Sequence, residues 1–314
     1  MKDGFGRDIY YLRMSVTDKC NLKCVYCRPG CASQQTVHDL LSVEEIAEIV
    51  RASSACGIRK VRLTGGEPLV RNNIVDICKA VSQTPGISEL CLTTNGILLP
   101  QYAPELKAAG VTRVNISLDS LDPVTYKKIT RVGTLEEAMR GVYAALDTGF
   151  RSVKINAVLM GGVNDSEISE LMELTRKYDA NIRFIEMMPI GETAFTEGAS
   201  YVSVSKVLEI APDLQEIGFE GVAKLYKLPG GRGSIGLICP ISSHFCHICN
   251  RIRVTSDGKL KPCLHSAQEI PLRGLSGKEL EEAICSATLK KPWKHYLESG
   301  EKSRSKRNMN EIGG

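Results

Sequence analysis

Two periodicities alternate along the first 190 residues. Short apolar runs at 10–16, 60–63, 89–93, 113–118, 152–159 and 181–186 are mostly rich in β-branched residues and often end in Gly or polar turns, which predicts strands. Between them, apolar residues recur every three or four places, which predicts helices. Val43, Ile46, Ala47 and Val50 form one such stripe; Ser42 precedes it and Glu45 stands three residues after Ser42, a capping box. Further helices are predicted to begin at Asn72, Pro100, Thr134 (with Glu137 three residues on) and Asp165, and Gly110 and Gly149 read as stops.

Repeated strand–helix units joined by right-handed crossovers make a parallel sheet with helices on its outer face. Six strands are too few for a closed eight-stranded barrel, so the expected fold is α/β, a partial open (βα)6 barrel over residues 1–190. Ligands should gather at the C-terminal ends of its strands. Beyond Ile190 the texture changes. A glycine-containing loop leads to a short helix near 204–210, then to hairpin signals at Gly230-Gly231 and Asp257-Gly258, and a last helix is expected over 278–289. Residues 191–302 therefore read as a smaller C-terminal hairpin and helix region. The basic, polar stretch 303–314 reads as a flexible tail.

Composition narrows the class. The chain has 314 residues, 43% hydrophobic and 24% charged, with a net charge of +4. That balance fits a globular protein and excludes a nucleic-acid-coating surface, while leaving room for a local basic pocket. No stretch approaches ~20 consecutive apolar residues, and the N-terminus lacks the apolar core of a secretory signal. No membrane association and a cytoplasmic location are therefore expected.

Twelve cysteines in a chain without a secretory signal point to metal binding or catalysis rather than disulfides. Cys56, Cys78, Cys91, Cys239 and Cys285 are scattered, mostly among apolar neighbours, and read as inert core. The others form two groups. Cys20, Cys24 and Cys27 give C-x3-C-x2-C just after the first strand, a spacing in which neighbouring thiolates can wrap one soft centre. A zinc ion or a spare redox pair is the plainer alternative, and Cys31 could supply a fourth ligand. Three ligands to an iron–sulfur cluster would leave one iron open for chemistry, as an open position marks a catalytic zinc.

Those residues, with Thr64-Gly65-Gly66-Glu67-Pro68 after the second strand and Ser117-Leu118-Asp119 ending the fourth, resemble the radical S-adenosylmethionine superfamily. The resemblance implies a 4Fe–4S cluster whose open iron is chelated by S-adenosylmethionine and which yields a 5′-deoxyadenosyl radical. It also implies that Gly66 lets the backbone approach the cofactor's amino group closely.

The second group is Cys246, Cys249 and Cys263, C-x2-C-x13-C, with the Asp257-Gly258 hairpin folding the third cysteine back. Zinc completed by His247 or His265 is a real alternative here. Arg251 and Arg253 follow at once, on one face of a strand. They read as a polyanion site or as a solvent-facing basic stripe. Arg13, Arg62, Lys154 and Arg183 also fall on predicted strands, and strand interiors rarely hold unpartnered cations. Together they would make an anion pocket; singly, each could be ion-paired with a neighbouring carboxylate.

The run from Cys249 through Asn250-Arg251-Ile252-Arg253 to Cys263-Leu264 is similar to the GTP 3′,8-cyclase family of molybdenum cofactor biosynthesis. So are Gly4-Phe5-Gly6-Arg7, residues 12–18, residues 183–189 and the terminal Gly313-Gly314. This resemblance spans essentially the whole chain. It implies two 4Fe–4S clusters, S-adenosylmethionine, and conversion of GTP to 3′,8-cyclo-7,8-dihydroguanosine triphosphate through a C3′ radical that attacks C8. It implies Tyr26, Gly66, Ser117 and Met188 at S-adenosylmethionine, and Arg13, Arg62, Thr93, Lys154, Arg251 and Arg253 at GTP. Arg183 is implied near C8, and Gly313 and Gly314 in the active site. Implied partners are a reductant such as a flavodoxin or ferredoxin, a downstream pyranopterin-forming enzyme and, from family habit, a second copy in a homodimer. The alternative reading is another enzyme of the superfamily with an auxiliary cluster, such as a peptide modifier.

Overall fold

The structure, a computed structural model, describes residues 1–27, 39–191, 199–295, 297 and 303–313. Its first half follows the expected alternation. The strands are β1 (Tyr11–Ser15), β2 (Lys60–Thr64), β3 (Glu89–Thr94), β4 (Val111–Ser117), β5 (Ser152–Leu159) and β6 (Asn181–Glu186). They pair in parallel and in sequence order. The helices between them are α1 (Val43–Ala55), α2 (Ile74–Ser82), α3 (Leu99–Ala108), α4 (Pro123–Thr130), α5 (Leu135–Thr148) and α6 (Ile168–Lys177). Ser42 and Thr134 both form complete capping boxes, and Gly149 ends α5 in the left-handed conformation. The short α4 is missing from the sequence reading. Asp122 caps it, with Pro123 following, but it buries only Tyr126, Ile129 and Thr130, too few to show a periodic stripe.

Strand alternation gives the sheet two unlike faces. On β5, Val153, Ile155, Ala157 and Leu159 are buried, while Ser152, Lys154, Asn156 and Val158 are half-buried on the other face. The apolar face joins the helices in one continuous core. The opposite face carries Tyr11 and Arg13 of β1, Lys60 and Arg62 of β2, Arg113 of β4 and Arg183 of β6. The concave side of this partial barrel is polar instead of being filled by aliphatic layers.

The C-terminal part adds α7 (Lys206–Ile210), β7 (Gln215–Glu220), β8 (Ala223–Lys227), β9 (Ile235–Ile238), β10 (Arg251–Val254), β11 (Lys259–Lys261), β12 (Ile270–Pro271), α8 (Gly277–Leu289) and α9 (Met309–Ile312). The hairpins at Gly230-Gly231 and Asp257-Gly258 form as expected between β8 and β9 and between β10 and β11. Their placement was not visible from local pattern. Among the described residues the strands form one sheet, ordered β12-β11-β10-β1-β2-β3-β4-β5-β6-β9-β8-β7. β10 lies parallel to β1 and β9 parallel to β6, so the C-terminal part extends the barrel at both edges.

Candidate functional site

Both cysteine groups line one cavity of about 280 Å³ on the concave side of the sheet. The first group sits in the loop that follows β1. This loop lies against the turn after β2, where the Gly66 and Glu67 amides donate to the Thr17 and Lys19 carbonyls at 2.8 Å each. A Cβ at Gly65 would stand 2.4 Å from the Thr17 carbonyl oxygen, and one at Gly66 would stand 2.3 Å from that of Lys19. The tight clearance at Gly66 is therefore taken up by the cysteine loop's own backbone. On its other side the loop is fixed to the end of α4, where the Lys23 and Val25 amides donate to the carbonyls of Thr130 and Ile129.

This packing brings three thiols together. The Leu22 amide donates to Cys20 Sγ at 3.3 Å. Burial pushes the Cys24 thiol well up, and the neighbouring Cys27, Asp119 and Cys20 push it further. Crowded thiols of this kind are what a multi-iron cation would deprotonate and hold. Tyr26 donates to Asp119 Oδ2 at 2.7 Å, and Asp119 also accepts from the Val158 amide. Burial raises Asp119 to about 6. Gly66, Tyr26, Ser117 and Met188, the four residues expected at S-adenosylmethionine, all line the cavity beside the first cysteine group.

The second group is positioned from three parts of the chain. Cys246 opens a single 3-10 turn, Cys249 follows it, and Cys263 lies just after β11. Arg7 reaches over from the N-terminus to donate to the carbonyls of Cys246, Pro292 and Trp293 at 2.7–2.8 Å, while Asp3 holds its Nε at 2.6 Å. Lys291 donates to the Pro262 carbonyl at 2.7 Å. Burial would raise the Cys249 thiol, but Arg251 and Lys291 outweigh it and bring it down to about 6, favouring a metal-ready thiolate. His265 lines the cavity, whereas His247 is exposed. Among the described residues no three His, Cys, Asp or Glu side chains converge on a single metal-ion position. Cys31 lies outside the described residues.

Between the two groups the sheet register stacks charge. Arg253 of β10 pairs with Arg13 of β1, and Arg13 pairs with Arg62 of β2, so three arginines stand side by side. Arg13, Arg251 and Arg253 line the cavity together with Thr93. Burial drives Arg253 well down, and Arg13 and Arg251 add to it. Burial alone would raise Tyr11, but Arg62 and Arg13 outweigh it and lower its hydroxyl to about 8. Arg13 Nε and Asn156 Oδ1 are buried without a hydrogen-bond partner in the described structure. The crowded guanidiniums and the unpaired Arg13 donor suit an anion, while the Asn156 oxygen can only accept from a donor group.

The remaining expected residues stand deeper. Arg62 donates to the Tyr11 hydroxyl at 2.5 Å and reaches Thr93 Oγ1 at 3.4 Å. Lys154 and Arg183 do not line the cavity; both bind Glu220, at 2.6 and 2.8 Å. Arg183 pairs across the sheet with Asn156, which does line it, and its side chain crosses Gly236, where a Cβ would stand 2.5 Å from Arg183 Cδ.

The tail expected to fray is instead anchored over residues 303–313. Arg307 meets Asp257 at 2.8 Å and Glu269 at 2.7 Å, and Asn308 forms a capping box for α9. Arg253 donates to the Gly313 carbonyl. A Cβ on Gly313 would stand 2.2 Å from Thr64 Oγ1, on the cavity wall. Gly314 lies outside the described residues. Sequence reasoning missed Asn95, Lys291 and His295 as cavity residues, since none belongs to a spaced motif.

A partial parallel barrel with three thiols after its first strand defines a radical S-adenosylmethionine enzyme. Residues 14–175 match the Radical SAM superfamily, and residues 180–297 match Molybdenum Cofactor Synthesis C. The fold resembles Streptococcus suis SuiB bound to S-adenosylmethionine, with TM-score 0.68 at 15% identity over 91% of this chain and 67% of that one. It also resembles anSMEcpe with bound AdoMet, with TM-score 0.61 at 18% identity over 87% and 80%.

Across its whole length the chain belongs to the GTP 3′,8-cyclase family. It is 47% identical to the GTP 3′,8-cyclase of Alkaliphilus oremlandii (strain OhILAs) and 48% identical to that of Alkaliphilus metalliredigens (strain QYMF), each over 320 residues and 100% of both chains. Superfamily membership brings S-adenosylmethionine and an iron–sulfur cluster. No helix among the described residues is long and apolar enough to cross a membrane.

Proposed function

We propose that the chain converts GTP to (8S)-3′,8-cyclo-7,8-dihydroguanosine 5′-triphosphate, the first step of molybdenum cofactor biosynthesis. The observation that carries this reading is the row Arg253–Arg13–Arg62, standing in register beside the second cysteine group. Like charges on adjacent strands repel, and a polyphosphate turns that repulsion into charge-assisted bonds.

In this reading Cys20, Cys24 and Cys27 hold the cluster that works with S-adenosylmethionine, and Cys246, Cys249 and Cys263 hold a second 4Fe–4S cluster. When bound, the first cluster and S-adenosylmethionine supply the one-electron cleavage that removes a hydrogen from the ribose. The chain's own task is to hold the nucleotide still between the two groups, since fixed geometry supplies much of such a rate enhancement. Tyr26, Gly66, Ser117 and Met188 form the S-adenosylmethionine wall. Arg13, Arg251 and Arg253 hold GTP with Thr93, and Arg62, Lys154 and Arg183 extend the cationic surface beneath them. Arg183 acts near C8 of the base. The terminal Gly313 and Gly314 act at the active site in this reading, and at Gly313 a side chain would meet Thr64.

Partners in this reading are a flavodoxin-like or ferredoxin-like reductant, a downstream pyranopterin-forming enzyme and a second copy of the chain. The likeness to SuiB concerns fold alone, and the arginine row favours a nucleotide over a peptide. Anaerobic incubation of the reconstituted protein with GTP, S-adenosylmethionine and a reductant tests the reading by mass analysis. Equal amounts of 5′-deoxyadenosine and a cyclised isomer of GTP are expected. Deoxyadenosine with GTP unchanged would move the search to another substrate.

A further inference from the structure

The concave face, toward the N-terminal ends of its strands, holds a group of charges that the cysteine motifs do not explain. Glu89 binds Lys60 at 2.5 Å and Arg113 at 3.2 Å. Glu220 binds Arg113 at 3.0 Å through one oxygen, and Lys154 at 2.6 Å and Arg183 at 2.8 Å through the other. Lys60, Arg113, Lys154 and Arg183 come from β2, β4, β5 and β6, and these two carboxylates join them into one network. Three of the four cations converge on Glu220 alone, in the way they would converge on the oxygens of one phosphate.

Glu220 differs from its partners in how it is held. The Arg183 side chain is 4% exposed and that of Lys154 13%, whereas that of Glu220 is 39% exposed. It is the last residue of β7, at the tip of the β7–β8 hairpin. Gly218 and Gly221 flank it with φ of +110° and +61°, and an added Cβ at either would meet nothing within 4 Å. Its strand neighbours Ile217 and Phe219 are exposed, so the hairpin tip buries little that would resist its movement. The cations stand on interior strands, and the anion that joins them is on the hairpin at the edge of the sheet.

We propose that Glu220 is a displaceable counter-ion, which keeps Arg113, Lys154 and Arg183 paired until the substrate binds, its triphosphate then replacing Glu220 at Arg113 and Lys154 and leaving Arg183 free for the base. The proposal rests on the GTP reading above and adds a residue to it. A buried cation cluster without an anion is unstable in the empty site. A carboxylate on an edge hairpin neutralises it there, and a polyphosphate carrying more charge outcompetes a single carboxylate. A nucleoside without phosphates leaves the Glu220 pairing intact.

The test uses the reconstituted, anaerobic full-length chain, with inorganic triphosphate as the probe and calorimetry as the readout. Glu220→Gln is expected to bind triphosphate roughly tenfold more tightly, the scale of one hydrogen bond to a charged group. Glu220→Asp, too short to span all three cations, is expected to fall between Glu220→Gln and the parent. In the parent chain, amide hydrogen exchange over residues 215–227 is expected to rise when triphosphate is added, because the tip is released. Equal or weaker binding by Glu220→Gln, or hairpin exchange that does not change in the parent, overturns the proposal. The two readings fail separately. A parent that cyclises GTP while Glu220→Gln gains nothing loses only the counter-ion role, and a parent that leaves GTP unchanged while Glu220→Gln gains triphosphate affinity loses only the GTP reading.

Discussion

Arg13 is the residue whose role is most sharply posed. It stands between Arg253 and Arg62, its Nε is buried without a partner, and burial, with Arg251 and Arg62, lowers its proton affinity against the opposing pull of Tyr11. A residue kept for stability would not be placed there. Replacing it with an apolar side chain of similar length removes repulsion from the fold and an anchor from the ligand, two effects of opposite sign. Arg13→Met is therefore expected to melt at or above the parent temperature, while kcat/KM for GTP falls at least about a hundredfold. A variant that loses stability and activity together would instead mark Arg13 as structural. Glu67 poses the converse case. Burial raises it to about 7, against hydrogen bonds from Asn95, Leu69 and Thr94. A carboxyl raised in the folded state stabilises below its unfolded value, and that contribution is lost as pH rises through the folded value. The thermal midpoint of the parent is expected to carry a destabilising component that sets in between about pH 4.5 and 7 and that Glu67→Gln lacks, measurable as a flatter pH profile for the variant.

At the scale of elements, capping and turn chemistry made most of the barrel readable. Ser42 with Glu45 and Thr134 with Glu137 marked α1 and α5 because a cap is a local bargain between residues three apart. The tail was misread for the opposite reason. Its basic, polar composition looks disordered, and what orders it is Arg307 meeting Asp257 and Glu269 from the hairpin region. Burial opposes charge on Asp257, but Arg307 and Thr255 outweigh it and hold the carboxyl far below its usual range. That contribution is present above the unfolded carboxylate value and disappears only in strong acid. Arg307→Ala is expected to free the tail, seen as faster proteolysis and amide exchange over residues 303–313. Turnover should fall while the iron content of the reconstituted protein is unchanged. Unchanged exchange in that segment would show that α9 and the Arg253–Gly313 bond suffice without the ion pairs.

At the scale of the molecule, the site exists because the sheet crosses the change in sequence texture near residue 190. β10 brings Arg251, Arg253 and the second cysteine group alongside β1, and β9 brings Gly236 under Arg183. Residues 1–190 expressed alone would leave β1 and β6 as bare edges and expose apolar surface that the C-terminal strands cover. That fragment is expected to lack a cooperative thermal transition and to aggregate, as read by circular dichroism and light scattering. A soluble fragment with a sharp transition would show that the barrel core stands without its flanking strands.

By itself the sequence determined what depends on near neighbours in the chain. The strands and most helices of the barrel, their caps, the two cysteine spacings and the adjacency of Arg251 and Arg253 are all set by residues a few positions apart. Only the tertiary structure decided what depends on register across the sheet. It aligned Arg253, Arg13 and Arg62, took up the clearance at Gly66 with the cysteine loop, carried Arg7 to the Cys246 turn and set Glu220 against three cations from three strands. Strand pairing joins residues dozens to hundreds of positions apart, and no spacing along a chain records which of them will face one another.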